Sequence, residues 1–147
     1  MAAILIDTNV LVYAHDRSER AKQAQAIRVL EHLQLRGTGR LSAQVLAEFF
    51  RATTRGATAM LAPAEAGDQV DRFARAWPVL PITAPIVLEA TRGVREHHLA
   101  YWDAQVWATA RLNQIPVVLS EDFSAGATLE GVRFVNPFAT DFSLENW

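Results

Sequence analysis

The chain has 147 residues, half of them hydrophobic and 20% charged, with a formal net charge of -2 and no cysteine. That length suits one domain with a substantial core. The missing cysteines exclude disulfides, iron–sulfur clusters, zinc knuckles and thiol nucleophiles. No global basic field advertises nucleic-acid binding, so any phosphate has to be met by local groups among thirteen arginines and one lysine, Lys22. Apolar runs such as VLVYA and IPVVL fall far below membrane-span length. Met1 to Asp7 has no basic n-region, so the expectation is a cytoplasmic chain without a leader or membrane partner.

AILID (Ala3 to Asp7) is a short apolar run without alternation, which reads as a strand buried on both faces. Asn9 to His15 suits a helix directly after it. Ser18 is placed to cap a second helix, Glu19 to Leu35, whose Ala26, Val29, Leu30 and Leu33 share a face and which stops at Gly37. GRLS (Gly39 to Ser42) reads as a second strand, and Ser42 then caps the helix AQVLAEFFRATT, which Gly56 ends. Pro63 opens a helix to Trp77, and VLPIT (Val79 to Thr83) is a weak strand cut short by Pro81. Pro85 opens a helix to about His98, and Trp102 to Asn113 forms the next. IPVVLS (Ile115 to Ser120) is the second clear buried strand, VRFVNPF a last edge strand, and Ala139 to Trp147 a tail. Short apolar strands alternating with amphipathic helices predict an α/β fold around a mainly parallel sheet.

Several acids fall where an apolar residue or a simple turn is expected. Asp7 ends the first strand, and Asp122, with Glu121 before it, follows the end of VVLS. Asp103 heads the stripe Asp103, Val106, Trp107, Ala110 on one helix face, and Glu48 sits between Val45 and Ala52 on another. Each has an ordinary reading: an Asx turn for Asp7, a helix cap for Asp103, a snorkelling side chain for Glu48, a solvated loop acid for Asp122. Together they converge on the crevice outside the carboxyl ends of the strands. Carboxylates so gathered raise one another's pKa and favour a cation. An all-oxygen ligand set suits Mg²⁺ or Mn²⁺, ions that serve phosphodiester hydrolysis.

IDTNVLVYA, LAEFF, YWDAQVWATA, LSEDFSAG and VRFVNPF, in this order, resemble the PIN-domain ribonucleases, and among them the VapC-type toxins of toxin–antitoxin pairs. The likeness runs from about Ile4 to Phe138. It implies a three-layer α/β/α PIN fold over the whole chain, with Asp7, Glu48, Asp103 and Asp122 as the catalytic acidic quartet. Asp7, Asp103 and Asp122 would hold Mg²⁺ or Mn²⁺, directly or through water, while Glu48 orients or helps deprotonate the attacking water. Thr8, Asn9 and Ser120 would fix these groups by hydrogen bonds, with Glu121 in a supporting place. The resemblance also implies an RNA substrate with single-stranded or looped structure, a homodimer, and a cognate antitoxin covering the acidic groove.

Arg51 and Arg55 follow Glu48 at i+3 and i+7 and are candidate RNA contacts, or a solvated helix face. Arg17, Arg20 and Lys22 form another loose basic stretch with the same two readings, and His97 and His98 suit a helix end. Trp102 and Tyr101 suit either an unpaired base or the core. Asn9 stands where a haloacid-dehalogenase-type enzyme needs a second acid, and Lys22 is misplaced for a phosphoaspartyl site. No G-x-G-x-x-G follows a strand. The alternative of a different class is a metal-stabilised module that binds RNA or a partner without cutting.

Overall fold

The computed structural model describes residues 2–123 and 126–147; Met1, and Ser124 and Ala125 of the LSEDFSAG motif, lie outside them. Its elements run β1 (Ile4–Ile6), α1 (Thr8–Tyr13), α2 (Arg20–Arg36), β2 (Gly39–Ser42), α3 (Ala43–Thr54), α4 (Pro63–Ala76), β3 (Val79–Leu80), α5 (Ala84–His97), α6 (Tyr101–Leu112), β4 (Val117–Leu119), β5 (Thr128–Leu129) and β6 (Val132–Val135). The strands form one sheet in the order β3-β2-β1-β4-β6-β5, parallel except for the β5–β6 hairpin.

The pleat divides the apolar strand residues between two cores. Ile4, Ile6, Leu41, Val117 and Leu119 face α1, α2 and α3, where Val10, Leu11, Val29, Leu33, Val45 and Phe49 are buried. Leu5, Val118, Val132 and Phe134 face α5 and α6, against Ile86, Ala90, Val106 and Trp107. This is a three-layer α/β/α arrangement. Its asymmetry follows from connection handedness: β1, β2 and β3 step one way along the sheet, and the chain then returns past β1 to place β4. Right-handed crossovers therefore put α5 and α6 on the face opposite the earlier helices. The order reverses between β1 and β4, which is where an open α/β sheet leaves its crevice.

Local chemistry sets the boundaries. Gly37 ends α2 in the left-handed conformation at φ 68°, which costs glycine no steric penalty. Ser42 Oγ accepts from the Val45 amide and caps α3 as expected. Pro63 occupies the first turn of α4. At Gly93 a Cβ would lie 2.9 Å from the Trp107 ring, so only glycine lets α5 approach α6 this closely.

Three expectations need correction. Ser18 does not cap α2; its amide and hydroxyl instead donate to Asp16 Oδ1 at 3.0 and 2.6 Å, a local turn that outcompetes the cap, and Glu19 takes the cap position without a side-chain bond. β6 is not the edge, because Thr128 and Leu129 pair antiparallel with it across Glu130 and Gly131. Asp103 is not a cap either: α6 begins at Tyr101 after Ala100, which leaves Asp103 in the first turn. The tail folds back on the body, with Phe142, Leu144 and Trp147 packed against the first core and the Arg133 guanidinium 5.3 Å from the Trp147 ring.

Candidate active site

Asp7 leaves β1 at the switch point and is only 5% exposed. Its amide donates to the Leu119 carbonyl at 3.0 Å, which extends the β1–β4 pairing by one residue and fixes the carboxyl at the sheet edge. Oδ1 accepts the Thr8 amide at 2.8 Å, and Oδ2 accepts the Ser120 hydroxyl at 2.7 Å. Asp7 is also the N-cap of α1, but its carboxylate accepts from the next residue, Thr8, and not from the amide two residues on that an Asx turn uses. Capping uses one carboxylate oxygen and leaves the group buried beside other acids.

The neighbours are organised by side chains already singled out in the sequence. The Thr8 hydroxyl donates to Glu48 Oε1 at 2.9 Å, which ties α1 to α3. The Asn9 amide donates to Ser120 Oγ and to Asp122 Oδ2, each at 3.1 Å, and Asn9 Oδ1 accepts the Glu121 amide at 3.3 Å. Asp122 is exposed, and its backbone amide donates to Ser120 Oγ at 3.1 Å. Glu121 meets Asn9 through its backbone amide and also lines the cleft at Glu48 and Asp122. Its carboxylate is held by Lys22 at 2.5 Å and by the Tyr13 hydroxyl at 2.7 Å.

Electrostatics mark the same group of acids. Burial pushes the Asp7 carboxyl up to about 6, against the pull of its Ser120 and Thr8 hydrogen bonds, and repulsion from Glu48 and Asp122 adds to the rise. Asp103 is raised first by burial and then by Asp122 and Glu48. It stands near the positive end of α6, which favours its charge, yet among the described residues it has no basic partner. Glu48 and Asp122 thus act on both Asp7 and Asp103, from four separate segments: β1, α3, α6 and the loop after β4. Among the described residues, however, no three His, Asp or Glu side chains are gathered tightly enough to hold an ion as they stand. The donors nonetheless fit a hard cation: oxygen only, and centred on a buried carboxyl whose pKa burial raises to about 6.

A cleft of about 970 Å³ opens at Glu48 and Asp122 of this group. Thr8, Asn9, Glu48 and Asp122 line it, as do Arg51, Arg55 and Trp102. The sequence reading missed Gln44 and Gln105, both buried on helix faces. The Tyr101 hydroxyl donates to Gln105 Oε1 at 2.9 Å, Gln105 Nε2 to Gln44 Oε1 at 3.0 Å, and Gln44 Nε2 to Glu48 Oε1 at 3.2 Å and the Trp102 carbonyl at 3.0 Å. This chain of amides locks α3 to α6 beside the acids. The available signal was an amide on an apolar helix face, Gln44 one turn before Glu48. His97 lies away from the acids, paired with Glu130 at 2.6 Å, and His98 is the left-handed C-cap of α5.

Comparison with known proteins gives this geometry its context. No curated protein sequence matches the chain. Among solved structures, a toxin–antitoxin complex from Klebsiella pneumoniae is similar at a TM-score of 0.67 and 19% identity, covering 92% of this chain and 98% of that one. VapC20 from Mycobacterium tuberculosis, described as a sarcin–ricin loop cleaving toxin, is similar at 0.65 and 21%, covering 89% and 99%. A DNA-bound VapBC from Salmonella typhimurium is similar at 0.67 and 17%, covering 93% and 99%. The PIN domain family model matches residues 4–125, so the chain, with its acids at the β1–β4 switch point, belongs to the PIN domain family.

Proposed function

We propose that this chain is a Mg²⁺- or Mn²⁺-dependent endoribonuclease and the toxin half of a VapBC-type pair. One observation carries the reading: Asp7 is a buried carboxyl among three further acids, and among the described residues it has no basic group to neutralise it. Burying such a group is costly, and a divalent cation is the ordinary remedy. Asp7, Asp103 and Asp122 would hold the ion, directly or through water. When bound, it supplies charge stabilisation on phosphoryl oxygens and acidifies a water.

The protein's own groups do the rest. Glu48, held by Thr8 and Gln44, orients the attacking water and takes its proton. Ser120 and Asn9 keep Asp7 and Asp122 in place. Arg51 and Arg55 meet the phosphates of a single-stranded or looped RNA. An antitoxin segment closing the acidic cleft and a homodimer complete the reading. The toxin–antitoxin complexes among the similar folds support the antitoxin. No helix among the described residues is long and apolar enough to cross a membrane, in keeping with work on RNA in the cytoplasm.

The test is cleavage of mixed-sequence single-stranded RNA, and of folded tRNA and rRNA fragments, by the pure chain. It is run with Mg²⁺ or Mn²⁺, with chelator, and with Asp7→Asn. Metal-dependent cutting lost in the variant is expected. RNA binding without cutting in any lane would move the chain to the binding-module alternative.

A further inference from the structure

Trp102 is the anomalous tryptophan of this chain. Trp77 and Trp107 are buried and Trp147 packs on the core, while Trp102 is 61% exposed at the rim of the acidic cleft. Exposure here does not mean looseness. The Trp102 carbonyl accepts Gln44 Nε2 at 3.0 Å, and its ring lies 4.9 Å from the Tyr101 ring, whose hydroxyl is anchored on Gln105. The amides that orient Glu48 therefore also fix the backbone beneath a solvent-facing indole, directly next to Asp103.

The same cleft carries Arg51 and Arg55. They lie about 4–5 Å and about 10 Å beyond Glu48 along the α3 direction, at 1.5 Å per residue. Among the described residues neither makes an ion pair or side-chain hydrogen bond, although acids are near. Glu121 is engaged by Lys22 and Asp16 by Ser18. An exposed aromatic ring on an anchored backbone, with unpaired arginines in the same cleft, is the combination that binds single-stranded nucleic acid, stacking for the base and charge for the backbone. The cleft's volume is at the upper end for a small-molecule site, room enough for a nucleotide.

We propose that Trp102 is a base-stacking platform that seats one unpaired RNA base beside the acids, with Arg51 and Arg55 holding the adjoining phosphates. The proposal rests on the ribonuclease reading and adds to it the residue that positions the substrate.

The experiment titrates the full chain, in chelator to prevent cutting, into a labelled short oligoadenylate. The comparison probe is the same oligomer with one abasic residue moved along it. Trp102→Ala is expected to weaken binding of the intact oligomer about tenfold or more, and Trp102→Phe by no more than about threefold. One abasic position should cost the wild type a similar factor and cost Trp102→Ala nothing further, because both changes remove the same contact. The salt dependence of Trp102→Ala should match wild type, whereas Arg51→Ala should reduce its slope by about 0.7. Equal affinity in Trp102→Ala, with wild type still cutting RNA when metal is added, overturns the platform and leaves the ribonuclease standing; the indole then belongs to a protein partner. A loss as large in Trp102→Phe as in Trp102→Ala also overturns it. Wild-type protein that neither binds nor cuts any RNA overturns both.

Discussion

Removing the charge of Asp7 should stabilise the fold, and the gain should depend on pH. The folded carboxyl holds its proton up to about 6, against an ordinary value of 3.8. Between those values the folded state binds more protons than the unfolded one, so stability falls as pH rises and the cost is complete above the folded value. At about 1.36 kcal/mol per pH unit the ionised group costs roughly 3 kcal/mol at about pH 8 and about 1 kcal/mol at about pH 4.5. Asp7→Asn removes that cost. Its amide can still accept from Thr8, but Ser120 Oγ, which donates to Asp7 and accepts from Asn9 and Asp122, would then meet an N–H. That mismatch subtracts about 1 kcal/mol. The variant should therefore be about 2 kcal/mol more stable than wild type at about pH 8 and near equality at about pH 4.5. Urea denaturation of both chains in chelator across this range measures the difference directly. A difference that stays flat with pH, or a variant less stable at the alkaline end, would refute the claim that an ionised, uncompensated Asp7 strains the fold.

Further outcomes follow from the same geometry. Mg²⁺ or Mn²⁺ at about a hundred times its Kd should stabilise the wild type by roughly 2.7 kcal/mol and Asp7→Asn far less, with chelator reversing the gain in a thermal melt. Equal shifts in both chains would place the ion elsewhere. Gln44→Leu should lose about 1–3 kcal/mol of stability and most of any RNA cleavage, because it strands Gln105 and the Trp102 carbonyl and leaves Glu48 held by Thr8 alone. Adding Gln105→Leu should cost less than the sum of the single losses, as measured by a double-mutant cycle. Gly93→Ala should destabilise by about 1–3 kcal/mol through overpacking against Trp107, read as a lower urea midpoint. A silent substitution would mean that the helix pair yields freely.

Much of this architecture was written in local patterns. AILID and IPVVL read as doubly buried strands because they lack alternation, and Ile4/Ile6 against Leu5 do divide between two cores. Ser42 and Pro63 marked helix starts because capping and N1 chemistry are local. The misreadings came where local options compete. Ser18 could cap or turn, and Asp16, two residues back, decided it. The β5–β6 hairpin turns on Glu130 and Gly131 at positive φ, a signal too short to read beside VRFV. For the site, the four acids stood out as charges on apolar patterns. Gln44 and Gln105 did not, since an uncharged amide on a helix face looks like an ordinary half-exposed residue until its partner, 61 positions away, is in view. Trp102 was ambiguous for the converse reason, because only the fold decides which flank of YWDAQVWATA meets solvent.

The bond between the Ser120 hydroxyl and Asp7 spans 113 residues of sequence. During synthesis Asp7 is made 113 residues before Ser120, so its partners on the β4 side arrive long after it. Until then β1 has an open edge where β4 will pair, and the first acid waits without the residues that hold it. A chain cut short before Leu119 therefore carries Asp7 but neither the carbonyl that fixes its backbone nor the hydroxyl that holds its carboxyl. The wiring makes synthesis through the loop after β4 a precondition for assembling the acidic group.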